Sequence, residues 1–443
     1  MHLALLWHLH QPVYRRPHSR DYVLPWVSFH AVKNYYQMAR LVEEAEFPCT
    51  FNFVPCLLEQ IEDYAQGRAR DPYQLALEIP PDRLGLYEIE RLKKFVADSL
   101  GAEKLQLRAL QSFFSPIDEI PEDKTALLIK QKEILAAVIP FYRRLYQEGK
   151  IELTVSPYYH PLLPLVFDLK AAGSEAPSAV SFHYPEDSNE QMRRGREYFS
   201  SVFGRYPKGM WPPEGGISTE VARGVAQAGF AFAVTDENIL WKSVPAPAAG
   251  SRKNLFKPYC VEGISVFFRD RELSDLLGFA YFRLNEKDAV DDFLHRLAER
   301  EPLAGEDGIV VLALDGENPW GNYRQNGLRF LRELFGRLKK ESSISPVFFE
   351  DYLARAGPGK EMAIVPGTWL GNFSKWAGSA AKNEGWKTLA RARKACGPSD
   401  ELLIAEASDW FWWLGEPKAE EFSFLFRSYI QEAYRRASVR DVP

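Results

Sequence analysis

The chain has 443 residues, 46% apolar and 26% charged, with a formal net charge of −5. That balance supplies no basic footprint for nucleic acid. No apolar run reaches the ~18 residues of a membrane span, and the four cysteines (Cys49, Cys56, Cys260, Cys396) show no CxxC metal spacing. Length alone suggests roughly two to three domains, or one decorated α/β barrel. MHLALLWHLHQP at the N-terminus has no basic leader region and reads as a first strand, so a soluble cytoplasmic protein is expected.

Taken in chain order, short apolar strands alternate with amphipathic helices. Leu3–Trp7 and Thr50–Val54 are strand candidates. Pro81–Asp98 and Ala126–Gln147 read as charged helices, so residues of about 60–148 form a helical insertion. Ile151–Val155 is again strand-like. Ser188, with Gln191 three residues on, resembles a capping box opening a helix that Gly204 closes. Lys208–Trp211 reads as a short strand, followed by a loop and a helix from Ser218. Phe230–Val234 and Ile264–Phe268 are strands, and Ala246–Gly250 is a loop. Val290, Phe293, Leu294, Leu297 and Ala298 trace one buried helical stripe. Ile309–Leu314, uninterrupted and β-branched, is the clearest buried strand, and helix Leu328–Lys340 follows. About seven strands precede residue 350, which implies a parallel sheet or barrel. Residues 357–443 carry no strand run and read as a helical domain beside a catalytic unit of 1–356.

The polar residues fall at strand ends. His8 and His10 close the first strand and share a face, since side chains repeat every two residues. His160 follows Ile151–Val155, Glu214 follows Lys208–Trp211 inside WPPEGG, and Asp315 follows Ile309–Leu314 inside LDGENPW. Parallel α/β folds gather the carboxyl ends of their strands on one face, where active sites are built. These five residues are therefore expected together, whereas His30, His183 and His295 read as ordinary polar residues. Two carboxyls suit glycosidic cleavage: one protonates the departing oxygen, the other attacks the sugar or activates water. The 11 Trp and 20 Tyr suit a cleft in which pyranose faces stack on flat rings. Other readings of the same residues are a metal site on His8, His10 and Asp315, as for polysaccharide deacetylation or zinc-dependent mannoside cleavage, and a glucan-binding protein without turnover.

At these residues the sequence resembles glycoside hydrolase family 57, the α-amylase and amylopullulanase group. Five short regions carry the resemblance in order: His8-Leu9-His10-Gln11-Pro12; Ser156–Pro164; Trp211-Pro212-Pro213-Glu214; Leu314–Trp320; and Ala407–Trp413. Flanking stretches such as TFNFVPCLLEQ, FFRDRELSDLLGF and GTWLGNFSKWAGSAAKNEGW are similar as well. The resemblance implies an incomplete (β/α)7 barrel closed by C-terminal helices. It implies a retaining mechanism with Glu214 as nucleophile and Asp315 as general acid/base, the two carboxyls about 5–6 Å apart. It also implies an α-glucan or maltooligosaccharide substrate, with 4-α-glucanotransferase or branching chemistry as the alternative. Expected substrate contacts are His8, His10, Gln11, Asn52, His160, Trp211, Glu317, Trp320, Trp369, Asp409 and Trp410, with no cofactor and no metal. Pro319 departs from the small residue expected beside Asp315.

Overall fold

The computed structural model describes residues 1–94, 101–114, 123–177, 180–244 and 251–438. Its centre is a run of parallel strands, each short and buried on both faces. These are β1 (His2–Leu9), β2 (Cys49–Phe53), β3 (Ile151–Val155), β4 (Gly209–Met210), β5 (Phe232–Asp236), β7 (Ile264–Arg269) and β8 (Ile309–Asp315). Neighbours run in the order β7, β5, β4, β3, β2, β1, β8. β6 (Tyr259–Val261) is antiparallel to β7 across a turn at Glu262 and Gly263, both at positive φ, the geometry that matches strand twist in a two-residue hairpin. β9 (Ser345–Pro346) pairs with the start of β1, and β10 (Lys360–Glu361) pairs with β6.

The parallel run ends at β7 on one side and β8 on the other, and the join between them is a suture. Asp270 N–H donates to the Val311 carbonyl at 2.7 Å, and Arg269 Nη1 donates to the Ala313 carbonyl at 3.0 Å. The result is an incomplete (β/α)7 barrel. β1 and β8 are in register so that His8 lies opposite Asp315, and β1 and β2 so that His8 lies opposite Asn52.

Between β2 and β3 the chain builds the expected helical insertion, ending in the long helix Lys124–Gln147. The single helix expected over Pro81–Asp98 is replaced by a 3-10 turn, Pro81–Arg83, and a short helix, Leu86–Leu92. Pro80–Pro81 and Gly85 break the helical register there. The end of that stretch, and the loop Ala246–Gly250, lie outside the described residues. The helix expected to open at Ser188 begins earlier and spans Pro185–Phe203, leaving Ser188 buried inside it. Pro185 supplies the preset φ of a first helical turn, and Glu186 and Asp187 favour the positive end of the helix dipole. Gly204 does end it, at φ 80°.

Past Gly357 the chain stays on the barrel before becoming helical. After β10, Gly367 bridges to Ile217, and Trp369 N–H donates to the Glu214 carbonyl at 3.0 Å. Helices Ala380–Cys396, Asp400–Ala405, Ser408–Trp413 and Glu420–Arg436 then cover the barrel mouth. Trp386 stacks on Phe411 with centroids 4.0 Å apart. Arg393 forks onto buried Asp187 at 2.6 and 2.9 Å, close to Glu406, whose carboxyl burial pushes well above its usual range. Gln191 ties the same helix to the Leu403 carbonyl at 2.9 Å and to Glu406 at 3.0 Å.

This junction predicts that Arg393→Met destabilises the whole chain, because it leaves the Asp187 charge buried without its partner. The expected loss is about 3–5 kcal/mol, read as a fall in denaturation midpoint. An unchanged midpoint would mean that the helical cover is not anchored at Asp187.

Candidate active site

A cavity of about 370 Å³ opens at the carboxyl ends of the strands, within the usual range for small-molecule sites. Its wall includes His8, His10, His160, Trp211, Glu214, Asp315 and Glu317, and from beyond residue 357, Trp369 and Asp409. His8, His10, His160, Glu214 and Asp315 thus meet at the strand ends, and Trp369 and Asp409 join them from beyond residue 357. Gln11, Asn52, Trp320 and Trp410, expected as substrate contacts, stand behind this wall. Gln11 Nε2 donates to Glu317 at 3.3 Å. Asn52 lies against His8. Trp320 packs edge-on against Trp7, centroids 5.4 Å apart. Trp410 is buried with its indole N–H on the Ile404 carbonyl.

Glu214 occupies a left-handed conformation (φ 59°, ψ 22°), rare for a non-glycine residue. Pro212 and Pro213 stiffen the approach, and the Trp369 N–H holds the Glu214 carbonyl. Its carboxyl accepts from Ser408 Oγ at 2.9 Å and from Trp369 Nε1 at 3.1 Å. Burial, with Asp409 nearby, pushes this carboxyl up to about 7, while the Ser408 and Trp369 donors and His10 pull it down. His160 is also left-handed, at φ 60°, and its carbonyl is held by Ser408 N–H at 2.9 Å. Two strained residues of the barrel are therefore both fastened by backbone bonds from the C-terminal region, which fits the clustering of such strain at functional sites.

The three histidines form a stack. His10 and His160 have centroids 3.8 Å apart, and His8 and His160 5.1 Å. His8 Nε2 lies 3.1 Å from His160 Nε2, and His160 Nδ1 lies 3.0 Å from Ser408 Oγ. His10 Nε2 bridges both Asp409 oxygens at 3.0 and 2.8 Å. Burial holds His8 down to about 4 and holds His160 well below the ordinary imidazole value, which favours the neutral form of both.

Asp315 closes β8 and accepts from Asn318 Nδ2 at 3.0 Å. A Cβ on Gly316 would come within 2.2 Å of the Leu9 Cδ2 methyl, so the absent side chain leaves that methyl its place beside the carboxylate. The strand does not continue to Glu317, which turns inward, accepts from His10 N–H at 3.2 Å, and is pushed well up by burial and by Asp315. Burial thus favours the protonated form of Glu317 in the cavity wall.

His10, His160 and Asp409 place one ligand atom each within 4.8 Å of one another. Each nitrogen concerned already has a hydrogen-bond partner, Asp409 for His10 and Ser408 for His160, which accounts for the closeness of the three. The trio of the alternative metal reading, His8, His10 and Asp315, does not form such a group among the described residues.

Several wall residues lay outside the sequence reading. Arg269, buried and paired with Asp236 at 2.6 Å, sits in FFRDRELSDLLGF, a stretch that reads as typical without marking which residue matters. Phe279 at the rim is 56% exposed. Trp412 stacks on Trp369 with centroids 6.2 Å apart, and Ser408 lies in the fifth motif. Their signal was aromatic density in ASDWFWW, and only the fold shows which rings face the cavity.

A barrel with an acid pair at its mouth, backed by histidines and walled by Trp rings, defines a carbohydrate-type cleft. The family model for Glycosyl hydrolase family 57 matches residues 4–365, and the chain belongs to that family. It is 25% identical to an alpha-amylase of Pyrococcus abyssi over 62% of this chain and 39% of that protein, so it spans about two-fifths of that relative's length. It is 21% identical to a 1,4-alpha-glucan branching enzyme of Thermococcus kodakarensis over 95% of this chain and 71% of that one. The solved structure of that branching enzyme covers 98% of this chain and 89% of its own, at 18% identity and TM-score 0.69. The alpha-amylase AmyC of Thermotoga maritima covers 100% and 94%, at 16% identity and TM-score 0.68. These likenesses establish the fold.

The donors on Glu214 predict how it titrates. Trp369→Phe keeps a ring and removes the indole N–H, so the carboxylate form loses a partner and its pKa rises. In a 13C titration of labelled glutamate, Glu214 is expected near pH 7 in the parent and about 0.5–1 unit higher in the variant. A lower value would show that Trp369 acts on Glu214 by another route.

Proposed function

We propose that this chain cleaves α-glucosidic bonds of maltooligosaccharide or starch-type glucans by double displacement, with Glu214 as nucleophile and Asp315 as general acid/base. The observation that carries this reading is the pair itself. Two carboxyls from separate strand ends, Glu214 after β4 and Asp315 at the end of β8, face one cavity that Glu317, Asp409, Arg269, three histidines and four Trp rings also line.

Their surroundings fit the division of labour. Glu214 is gripped by two directed donors, which orient it for attack and favour its charge. Asp315 has one exposed amide contact, leaving it free to deliver a proton to the departing glycosidic oxygen and to recover one from the incoming acceptor. Attack by Glu214 on the anomeric carbon forms a glycosyl ester as that oxygen leaves with the Asp315 proton. The acceptor then gives its proton to Asp315 and displaces Glu214, restoring the original configuration. His10 and Asp409, bound to each other at the wall, suit sugar hydroxyls, and the half-buried Trp369 and Trp412 suit the faces of sugar rings.

The same ester serves water or a second glucan. Transfer is the second reading, favoured by the relative that matches nearly the whole chain, a 1,4-alpha-glucan branching enzyme. Incubating the protein with maltooligosaccharides and resolving products by length and linkage separates the two. Shorter products alone mean hydrolysis, whereas longer or newly branched products mean transfer.

Because the attacking form is the carboxylate, kcat/KM is expected to fall as the pH drops below about 7, where Glu214 takes up its proton. Glu214→Gln should lower turnover roughly 10⁴-fold or more with the fold intact. Asp315→Asn should cripple maltotriose cleavage while sparing an aryl glucoside whose leaving group needs no acid. Equal losses on both substrates would remove Asp315 from the acid role, and a product of inverted configuration would remove Glu214 from the nucleophile role.

A further inference from the structure

Behind Glu214 runs an unbroken chain of hydrogen bonds. Glu214 Oε1 meets Ser408 Oγ at 2.9 Å, Ser408 meets His160 Nδ1 at 3.0 Å, His160 Nε2 meets His8 Nε2 at 3.1 Å, and His8 Nδ1 meets the Asn52 carboxamide at 2.8 Å. Each link can carry one proton. Two neutral imidazoles and one hydroxyl bring three protons to four links, so the fourth must come from one end. If it comes from Glu214, the nucleophile is a neutral acid. If it comes from Asn52, Glu214 is the terminal acceptor and is a carboxylate.

The orientation of Asn52 decides between these, and Ser156 sets that orientation. Ser156 Oγ lies 2.7 Å from the Trp211 carbonyl and 2.9 Å from the Asn52 terminal atom that also meets His8. A carbonyl only accepts, so the single Ser156 proton goes to Trp211, and Ser156 turns a lone pair toward Asn52. The Asn52 atom facing both Ser156 and His8 is then the amide nitrogen. Amide oxygen and nitrogen exchange by a half-turn that leaves the heavy-atom positions occupied. After that half-turn the two amide protons serve Ser156 and His8, and the Thr154 hydroxyl, 3.1 Å away, donates to the oxygen. Every group is satisfied.

We propose that Ser156 and Ser408 are positioning residues that give this chain one direction, Asn52 to His8 to His160 to Ser408 to Glu214, so that the nucleophile is held as a carboxylate by a neutral donor relay. The proposal rests on Glu214 being the nucleophile. It assigns His8 the Nε2–H tautomer and His160 the Nδ1–H tautomer. Neutral imidazoles are what burial favours at both positions. The other charged or titratable groups facing the cavity with Glu214 are His10 just after β1, Arg269 on β7, Asp315 on β8, Glu317 just after it, and Asp409 on Ser408–Trp413. The Asp409 charge works against ionisation of Glu214, which is the load the relay opposes.

The test reads protons directly. In enzyme labelled with 15N-histidine at pH 8, with signals assigned through single His→Gln variants, His8 is expected to carry its proton on Nε2 and His160 on Nδ1. The opposite pair of tautomers overturns the proposal. Ser156→Ala should let both His8 tautomers appear, and an unchanged His8 signal would remove Ser156 from the argument. Ser408→Ala should move the acid limb of kcat/KM upward by about one pH unit, and Ser408→Thr should restore it. A lower kcat with the limb unmoved would make Ser408 merely structural. The tautomers are read without turnover, so they stand or fall separately from the nucleophile assignment.

Discussion

For Glu214 as the proposed nucleophile, the governing constraint is to keep a carboxylate charged in a wall that disfavours charge. Glu214 sits where burial and the Asp409 carboxylate both oppose ionisation. A cation placed beside it would lift that opposition, but it would also weaken the carboxylate as a nucleophile and attract solvent or anions. The molecule uses neutral donors instead, an indole N–H on one oxygen and a hydroxyl on the other. Such bonds are stronger when the acceptor is charged, and they fix the direction from which the oxygens face a sugar.

That solution dictates the architecture around it. Neither donor belongs to the barrel, since Trp369 and Ser408 both come from beyond residue 357. The barrel supplies the carboxyl on a strained turn, and the C-terminal segment supplies the groups that hold it. The same two residues also bond through their backbone N–H groups to the carbonyls of Glu214 and His160, so strain and stabilisation share the same attachments. The covering helices must therefore be docked firmly, and the buried Arg393–Asp187 fork and the edge-on Phe182–Trp386 contact do this.

Much of this was legible in the sequence because strand ends are. An apolar β-branched run such as Ile309–Leu314 announces a buried strand, and the first polar residue after it, Asp315, announces the mouth. His8, His10, His160 and Glu214 follow the same logic. What could not be read was which motif residues face in. Trp410 and Trp413 belong to one aromatic run, yet Trp410 is buried against Ile404 while Trp413 lines the cavity. That difference depends on where a six-residue helix, Ser408–Trp413, starts, and one residue turns a side chain by about 100°. Arg269 and Ser408 were hidden for another reason. Their roles are defined by partners on other segments, the Ala313 carbonyl at the barrel suture and the Glu214 carboxyl, and no local pattern records those.

The two carboxyls end in unlike settings, and the difference is itself mechanistic. The donors of Glu214 are partly buried, whereas the Asn318 bond on Asp315 is exposed. A group that forms a covalent bond gains from being oriented and dry, because its charge is then spent on the sugar and not on solvent. A group that gives up and regains a proton in each cycle must remain in exchange with its surroundings. Beside Asp315 the wall is made by Gly278, Phe279, Asn318 and Pro319. Pro319 comes within 4.0 Å of where a Cβ on Gly278 would stand, so the helix Arg271–Phe279 lies against the proline ring. Phe279, exposed at the rim, belongs to the same wall. Water needs no platform there, whereas a second sugar would use one. On the proposed mechanism the same ester forms in either case, so the choice between hydrolysis and transfer falls to the acceptor side and not to Glu214 and its donors.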